Sequence, residues 1–332
     1  MEFGILMGDE RVEVPPREHL DLLLRVAEAA QRNGFTYLTI GQHFLYDGYR
    51  WIQPVPLLSR LSAELDEGVR LGTSVIIAPL YHPVMLAEEL ATLDILTGGR
   101  LVIAMGTGYL PHEYRQFGVP FKERYQRLEE SLGLIRQLWT QDRVTFSGKF
   151  WQIEDAPVHI KPVQQPHPPI WMGAQKETGV RRAARLGETW TVTPQQTPEQ
   201  VDALARVFAA ERQAHGLPLN QLPLRRELMI GKDREDALNR FAAVARDKYV
   251  AYADRGMKAL SQEQVRAQFN ATVQEHVILG SAEECRQQIR DLARRLPMGP
   301  LLVRPHWPGM SAEEYVAALD EVGREIVEPL RD

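Results

Sequence analysis

Short apolar strands alternate with amphipathic helices eight times along these 332 residues, which predicts an α/β chain folded as a (β/α)8 TIM barrel with insertions in the loops at the carboxyl end of the strands. The length suits one large barrel, and no Pro/Gly-rich linker or shift in composition divides residues 1–332. The whole chain is therefore read as a single barrel domain. A two-domain doubly wound protein is the alternative, and nothing marks its boundary.

The elements follow in order. Phe3 to Met7 is an apolar strand, and Leu20 to Ala30 is a helix stopped at Asn33-Gly34, a good C-terminal cap. Tyr37 to Ile40 is the second strand, Pro54 to Leu65 a helix, and Val69 to Ala78 a β-branched third strand halted by Pro79. Val84 to Leu96 is a helix capped by Gly98-Gly99, and Leu101 to Met105 is the fourth strand. Glu123 to Trp139 carries Leu128, Leu132, Ile135 and Leu138 on one helical face. Val144 to Phe146 and Phe150 to Ile153 flank Ser147-Gly148 as a small hairpin, and Lys161 to Pro169 is proline-stiffened and extended. Pro169 to Met172, Trp190 to Val192, Glu227 to Ile230 and Leu301 to Arg304 complete the strands, with helices over Glu177 to Leu186, Pro198 to His215, Cys285 to Leu296 and Ala312 to Val327. Residues 232–276 exceed one crossover and read as an inserted helical segment near the barrel mouth, with Tyr249 and Tyr252 as an aromatic pair.

Composition narrows the function. Hydrophobic content of 44% is enough for a sizeable core, and a net charge of −5 without a basic run argues against nucleic acid or an anionic membrane as partner. Cys285 is the only cysteine, so no internal disulfide and no multi-cysteine metal site can form; in its helical pattern it reads as a small apolar filler. The start of the chain does not read as a signal peptide, and no stretch approaches the ~20 apolar residues of a membrane span, so a reducing cytoplasm is expected. The nine histidines are scattered, with no metal constellation, Gly-x-Ser-x-Gly elbow or phosphate-binding P-loop. Redox or proton chemistry would then belong to a bound organic cofactor.

Chemistry is expected in the loops after the strands. The Gly106-Thr107-Gly108 turn after the fourth strand is not a dinucleotide fingerprint, because Pro111 stands at the third glycine position and no helical pattern resumes before Glu123. After the second strand, His43 lies among Phe44, Tyr46, Tyr49 and Trp51, either as a proton shuttle beside a flat ring or as a histidine bonded within its own loop. His82 before Pro83 reads as a turn residue. Lys176 and Thr178 open a helix whose free N–H groups could hold a phosphate or form an ordinary cap. Arg124, in the first turn of the long helix, either faces an anion or pairs with Glu123 or Glu129.

Taken together, Gly41-Gln-His-Phe44, Leu71-Gly-Thr-Ser-Val75, His82-Pro-Val84, Ala91 to Arg100, Gly106 to Arg124 and Pro162 to Gly173 resemble the bacterial luciferase-like flavin monooxygenase superfamily over nearly the full length. The resemblance implies a barrel binding FMN, or the deazaflavin coenzyme F-420 of a sister branch. His43 would be the catalytic residue, and Ser74-Val75 a bulge with a non-proline cis peptide under the ring. Gly106, Thr107, Gly108 and Arg124, with Gly173, Ala174, Gln175 and Lys176, would hold the remainder of the cofactor. Phe44, Tyr46, Tyr49, Trp51 and Tyr109 would wall the substrate side. Many FMN members carry arginine where Thr107 stands, whereas deazaflavin sugar-phosphate dehydrogenases carry an acid at the Tyr109 position and aspartate at Gln42. The implied function is a two-component monooxygenase with a transient flavin reductase partner, O2 and a small organic substrate, acting as a homodimer. A deazaflavin-dependent hydride-transfer oxidoreductase and a non-catalytic flavin-binding protein are the alternatives.

Overall fold

The computed structural model describes residues 1–254 and 262–331. Its main sheet is parallel and runs through eight barrel strands: β1 (Phe3–Met7), β2 (Tyr37–Ile40), β3 (Arg70–Ile77), β4 (Leu101–Gly106), β5 (Ile170–Gly173), β6 (Thr189–Thr191), β7 (Leu222–Ile230) and β8 (Met298–Arg304). β1 pairs with both β2 and β8, and a parallel bridge from Val192 to Leu224 joins β6 to β7 and closes the circle. The fold is the (β/α)8 barrel that the alternation predicts.

Strand side chains alternate between two apolar environments, as a barrel requires. Leu101, Ile103 and Met105 of β4 face the helical shell, while Val102 and Ala104 face the interior with Tyr37, Trp171 and Leu302. Tyr37 and Trp171 have ring centroids 5.9 Å apart. Gly4 and Gly72 leave room for that layer, since a Cβ on Gly4 would meet Tyr37 Cβ at 2.5 Å.

The shell helices used below are α1 (Pro16–Arg32), α2 (Pro54–Ser62), α3 (Pro83–Leu96), α4 (Pro111–Gln116), α5 (Arg124–Thr140), α6 (Glu177–Leu186), α7 (Pro198–Ala214), α8 (Arg234–Asp254), α9 (Gln262–Val273), α10 (Ala282–Arg295) and α11 (Ala312–Val322). Ser281 and Ser311 close capping boxes with Glu284 and Glu314. His82 caps α3 by accepting the Val84 amide at 3.3 Å, the turn role expected of it. Cys285 is fully buried, and burial pushes its thiol up to about 12. The hairpin appears as Arg143–Ser147 against Gln152–Pro157, tied to α5 through Glu130, which accepts the amides of Phe150 and Trp151.

Several elements differ from the sequence reading: the first helix starts at Pro16 rather than Leu20, and Glu10–Arg11 pairs antiparallel with Tyr49–Arg50. The seventh strand begins at Leu222 rather than Glu227, because Pro223, Arg225 and Arg226 interrupt its apolar pattern; its pairing to β8 shifts register at Pro223 and then runs on through Arg225 and Arg226. A one-and-a-half-turn helix, α4, fills the stretch after Pro111 where no helix was expected; Pro111 at its first position presets the backbone. A further short strand, Ile278–Gly280, pairs with β7 outside the barrel circle. Within 232–276, α8 and α9 form their own apolar cluster of Phe241, Tyr249, Phe269 and Val273 against Trp307. Residues 255–261 and the side chain of Tyr252 lie outside the described residues. No helix among the described residues is long and apolar enough to cross a membrane.

The interior layer gives a direct test of closure. A methyl group on Gly72 would stand 2.5 Å from Val102 Cγ2 and 3.0 Å from the Val102 carbonyl oxygen. Gly72→Ala should lower stability by roughly 1–3 kcal/mol, as overpacked cores do. Urea unfolding measures it, and an unchanged midpoint would contradict the packing described.

Candidate active site

The carboxyl ends of the strands surround a cavity of about 590 Å³. His43 sits at its edge, just past β2, and its loop is clamped from behind. Buried Gln42 accepts the Ile77 amide at 2.9 Å and donates to Gln53 and Tyr81, while Gln53 donates to the His43 carbonyl at 3.1 Å. The principal partner is Glu113 on α4, a carboxylate with no solvent exposure. Its Oε1 lies 3.0 Å from His43 Nδ1 and accepts the Phe44 amide at 2.7 Å. A carboxylate can only accept, so Nδ1 carries the proton in this bond and Nε2 is the nitrogen left for chemistry. Trp51 and Tyr109 stand edge-on to the imidazole, with centroids at 4.7 and 5.5 Å.

On the neighbouring strand, Ser74 and Val75 form a ledge at a bulge in β3 pairing, and the peptide between them is cis. Gly106 and Gly173 flank Val75 so closely that a Cβ on either would stand 2.8 or 3.2 Å from a Val75 methyl. Those glycines keep the ledge low and open, a surface suited to a flat ring. Gly108, at φ +63°, turns the chain past Ile77, and Tyr114 donates to the Thr107 carbonyl.

Beyond the ledge, α6 points its N-terminus into the cavity through Lys176, Thr178 and Gly179. Its cap residue, Lys176, makes no side-chain capping bond. Arg124 lies here too, held between the rings of Phe121 and Tyr125 at 3.9 and 4.2 Å, with Nη1 donating to the Phe121 carbonyl. Neither carboxylate weighed for Arg124 pairs with it, since Glu123 bonds Arg127 and Glu129 bonds Arg182. Helix N-terminus, ammonium and guanidinium together form an anion-ready end, and this donor set fits a phosphate.

All ten residues expected near a cofactor, Ser74, Val75, Gly106, Thr107, Gly108, Arg124, Gly173, Ala174, Gln175 and Lys176, line this one cavity, as do His43, Trp51 and Tyr109. The other three aromatics do not line it. Phe44 turns away to pack on Phe117, at a centroid distance of 4.7 Å. Tyr46 and Tyr49 stand behind Trp51, around the ammonium of Lys248, which lies 3.5 Å from the Tyr49 ring centre. An internal cation thus takes the place that the sequence reading gave to substrate.

Sequence reasoning passed over an ionic wall on the opposite side. Asp9, just past β1, is shared by Lys248 of α8 and by Arg304 of β8, whose Nη2 lies 3.0 Å away. Arg225 of β7 reaches across the barrel mouth to donate to the Ser74 carbonyl at 3.2 Å, and Glu227 accepts the Tyr249 hydroxyl. The signal available was position for Asp9 and Arg304, which follow or end a barrel strand as His43 does; Arg225 and Glu227 lie inside β7, and Lys248 is on α8. Glu113 lay within the Gly106 to Arg124 run but was not singled out. Among the described residues, no group of histidine, cysteine and acidic side chains could hold a metal ion.

The luciferase-like monooxygenase family model matches residues 1–297. The chain is 31% identical to the oxygenase component of the flavin-dependent trigonelline monooxygenase of Acinetobacter baylyi, over 71% of its own length and 67% of the relative's. It is 32% identical to the F420-dependent glucose-6-phosphate dehydrogenase of Microbacterium testaceum, over 60% and 58%. It thus spans between about half and two thirds of these relatives. In fold it matches the monooxygenase RslO1 from Streptomyces bottropensis with a TM-score of 0.85 and 24% identity, covering 99% of each chain. The chain belongs to the luciferase-like monooxygenase family.

The buried ionisable groups give the protein an acid limit. Burial pushes the Asp9 carboxyl up, but Lys248 and Arg304 outweigh it and hold it at about 2. Burial pushes His19 and His306 below the ordinary 6.5. A depressed histidine favours folding above its unfolded value and loses that contribution as pH falls through 6.5 toward its folded value. Asp9 contributes above 3.8 and loses its share on the way down to about 2. Urea midpoints should therefore fall in two stages on acidification, the first setting in as pH drops below the ordinary histidine value of 6.5 and the second below 3.8. A midpoint unchanged as pH falls from above 6.5 to the onset of the second stage would contradict the histidine assignment.

Proposed function

We propose that this chain is the oxygenase component of a two-component monooxygenase, taking reduced FMN from a separate flavin reductase and acting with O2 on a small organic molecule. The carrying observation is that one cavity gathers a low flat ledge, an anion-ready helix end and an imidazole held by a buried carboxylate. Ser74, Val75, Gly106 and Gly173 would sit beside the ring, and Arg124, Lys176 and Thr178 around the phosphate. When bound, the reduced flavin supplies the electrons and the reactivity toward O2. The protein supplies the rest. Glu113 orients His43 so that Nε2 can exchange a proton at the cavity edge. Trp51 and Tyr109 exclude water around it. The Lys248–Asp9 contact docks α8 on the barrel mouth, where residues 232–276 would act as a lid.

This reading has the protein work in the cytoplasm as a homodimer, for which the exposed Met85, Ile95 and Leu96 of α3 offer an apolar face. Deazaflavin-dependent hydride transfer is the second reading, favoured by Thr107 in place of a phosphate-clamping arginine and by the name of the Microbacterium relative. Gln42 and Tyr109 count against sugar-phosphate oxidation in particular. A non-catalytic flavin-binding protein gives no reason for a buried carboxylate on the imidazole.

Fluorescence titration with FMN and with coenzyme F-420, followed by mixing each reduced complex with air, separates these readings. Tight FMN binding with rapid oxygen consumption supports the monooxygenase; tight F-420 binding without oxygen uptake supports hydride transfer; failure to bind either defeats both. Arg124→Ala should weaken FMN binding roughly tenfold by removing a charged hydrogen-bond donor. His43→Ala should lower turnover by about 10²–10⁴-fold, the usual share of a general acid–base group, and leave FMN affinity within about twofold. Unchanged turnover would end the role given to His43.

A further inference from the structure

Past the end of their ladder, β2 and β3 are held together by the side chain of Gln42. The ladder stops at Ile40 and Thr73, just short of both His43 and the ledge, and the register shift between Ser74 and Ile76 frees Val75 from regular pairing with β4. Gln42, only 4% exposed, takes up the connection by accepting the Ile77 amide at 2.9 Å. Ile77 ends the same strand just beyond Val75. In the other direction Gln42 Nε2 donates to Gln53 Oε1 at 2.8 Å and to the Tyr81 hydroxyl, and Gln53 Nε2 donates to the His43 carbonyl at 3.1 Å. Gln53 immediately precedes α2 and makes no capping bond there; its side chain serves this chain of bonds instead.

The two ends of this chain fix its polarity. A backbone N–H can only donate, so Gln42 must turn its oxygen to Ile77 and its nitrogen to Gln53. A backbone carbonyl can only accept, so Gln53 must turn its nitrogen to His43 and its oxygen to Gln42. Each link therefore needs a side chain that accepts at one end and donates at the other. A carboxylate has nearly the shape of an amide but no donor. At either position it would set one pair of oxygens face to face, which is costly away from water. Glu113 holds the imidazole and the Phe44 amide from α4. The tie from His43 to β3 runs through Gln42.

We propose that Gln42, acting through Gln53, is a positioning residue that sets the distance between His43 and the Ser74–Val75 ledge. This deepens the monooxygenase reading and rests on it for the role of His43. Proton exchange between Nε2 and a group on the ledge requires the two to be held within hydrogen-bond reach, and small misplacements are expensive. Glu113 sets which way the imidazole faces, and Gln42 sets how far its backbone stands from β3.

His43-Phe44 is the only His-Phe pair in the sequence. Protein isotopically labelled at histidine carbonyl carbons and phenylalanine amide nitrogens therefore gives a single NMR signal from that peptide, with no cofactor present. Its carbonyl coordinate reads the bond from Gln53, and its amide coordinate reads the bond to Glu113. Gln42→Glu and Gln53→Glu, both nearly isosteric, should each shift the carbonyl coordinate in the direction of a lost hydrogen bond. Tyr81→Phe removes only the second acceptor of Gln42 Nε2 and should leave that coordinate in place. Thermal melts identify the folded variants, and either glutamate variant decides the matter if the other fails to fold. Oxygen consumption by the reduced FMN complex should fall roughly tenfold in the glutamate variants, the effect of one lost hydrogen bond, while FMN affinity stays within about twofold of wild type. A carbonyl coordinate unmoved by either glutamate variant in folded protein, or moved equally by Tyr81→Phe, overturns the proposal. So does unchanged oxygen consumption in a variant whose carbonyl has shifted. Failure of the wild type to bind FMN defeats the cofactor reading instead, and the NMR comparison, made without cofactor, still judges the role of Gln42.

Discussion

Closing eight parallel strands into a barrel sends every strand's carboxyl end to one rim, and the chemistry of this chain follows from that. Asp9 leaves β1, His43 leaves β2, the ledge caps β3, and Arg225 to Glu227 and Arg304 belong to β7 and β8. The backbone below the rim is committed to parallel pairing, and the interior is plugged by Tyr37, Trp171 and Leu302. Ionisable groups are thus crowded into a shallow layer between an apolar plug and the helices α8 and α9. In that layer charge is costly unless it is paired. Asp9 with Lys248 and Arg304 is one solution, and Glu113 on His43 and the Phe44 amide is another.

These pairings divide the cavity into regions with different tasks. At one end the N-terminus of α6, Lys176 and Arg124 offer donors suited to a phosphate. The ledge in the middle is low because Gly106 and Gly173 carry no side chain against Val75. At the other end Arg225, Arg226 and Arg304 line the cavity from β7 and β8. His43 lies on the edge between, its orientation set by a carboxylate from a different loop. Lys248 ties α8 into the same network through Asp9 and the rings of Tyr49 and Trp51, so the inserted helices bear directly on the rim.

Much of the barrel was legible because strand and helix periods differ so plainly: β1, β2, α3 and α6 fall within a residue of where their patterns put them. Legibility failed where polar residues serve the rim. The first half of β7 was hidden because Arg225 and Arg226 break the apolar run while their backbone keeps the ladder. α4 was hidden because six residues carry too little period to read, although its proline start was visible. In the site, single-loop features came through: His43, the Ser74-Val75 ledge and the Lys176 helix start. Partnerships between distant loops did not, since nothing local links Glu113 to His43 or Asp9 to Lys248, 239 residues away. The aromatics after β2 illustrate the same limit. Composition marked Tyr46 and Tyr49 as candidate pocket walls, but only the fold shows that Lys248 fills the space they enclose.

The central claim is that this rim seats a flavin with its phosphate at α6 and its ring on the Ser74–Val75 ledge beside His43. A crystal structure of the protein with FMN tests it most directly. The account predicts phosphate density among Lys176, Thr178 and Arg124, and ring density against Val75 within reach of His43. Phosphate density at the arginines of β7 and β8, the more usual phosphate position in such barrels, would contradict it.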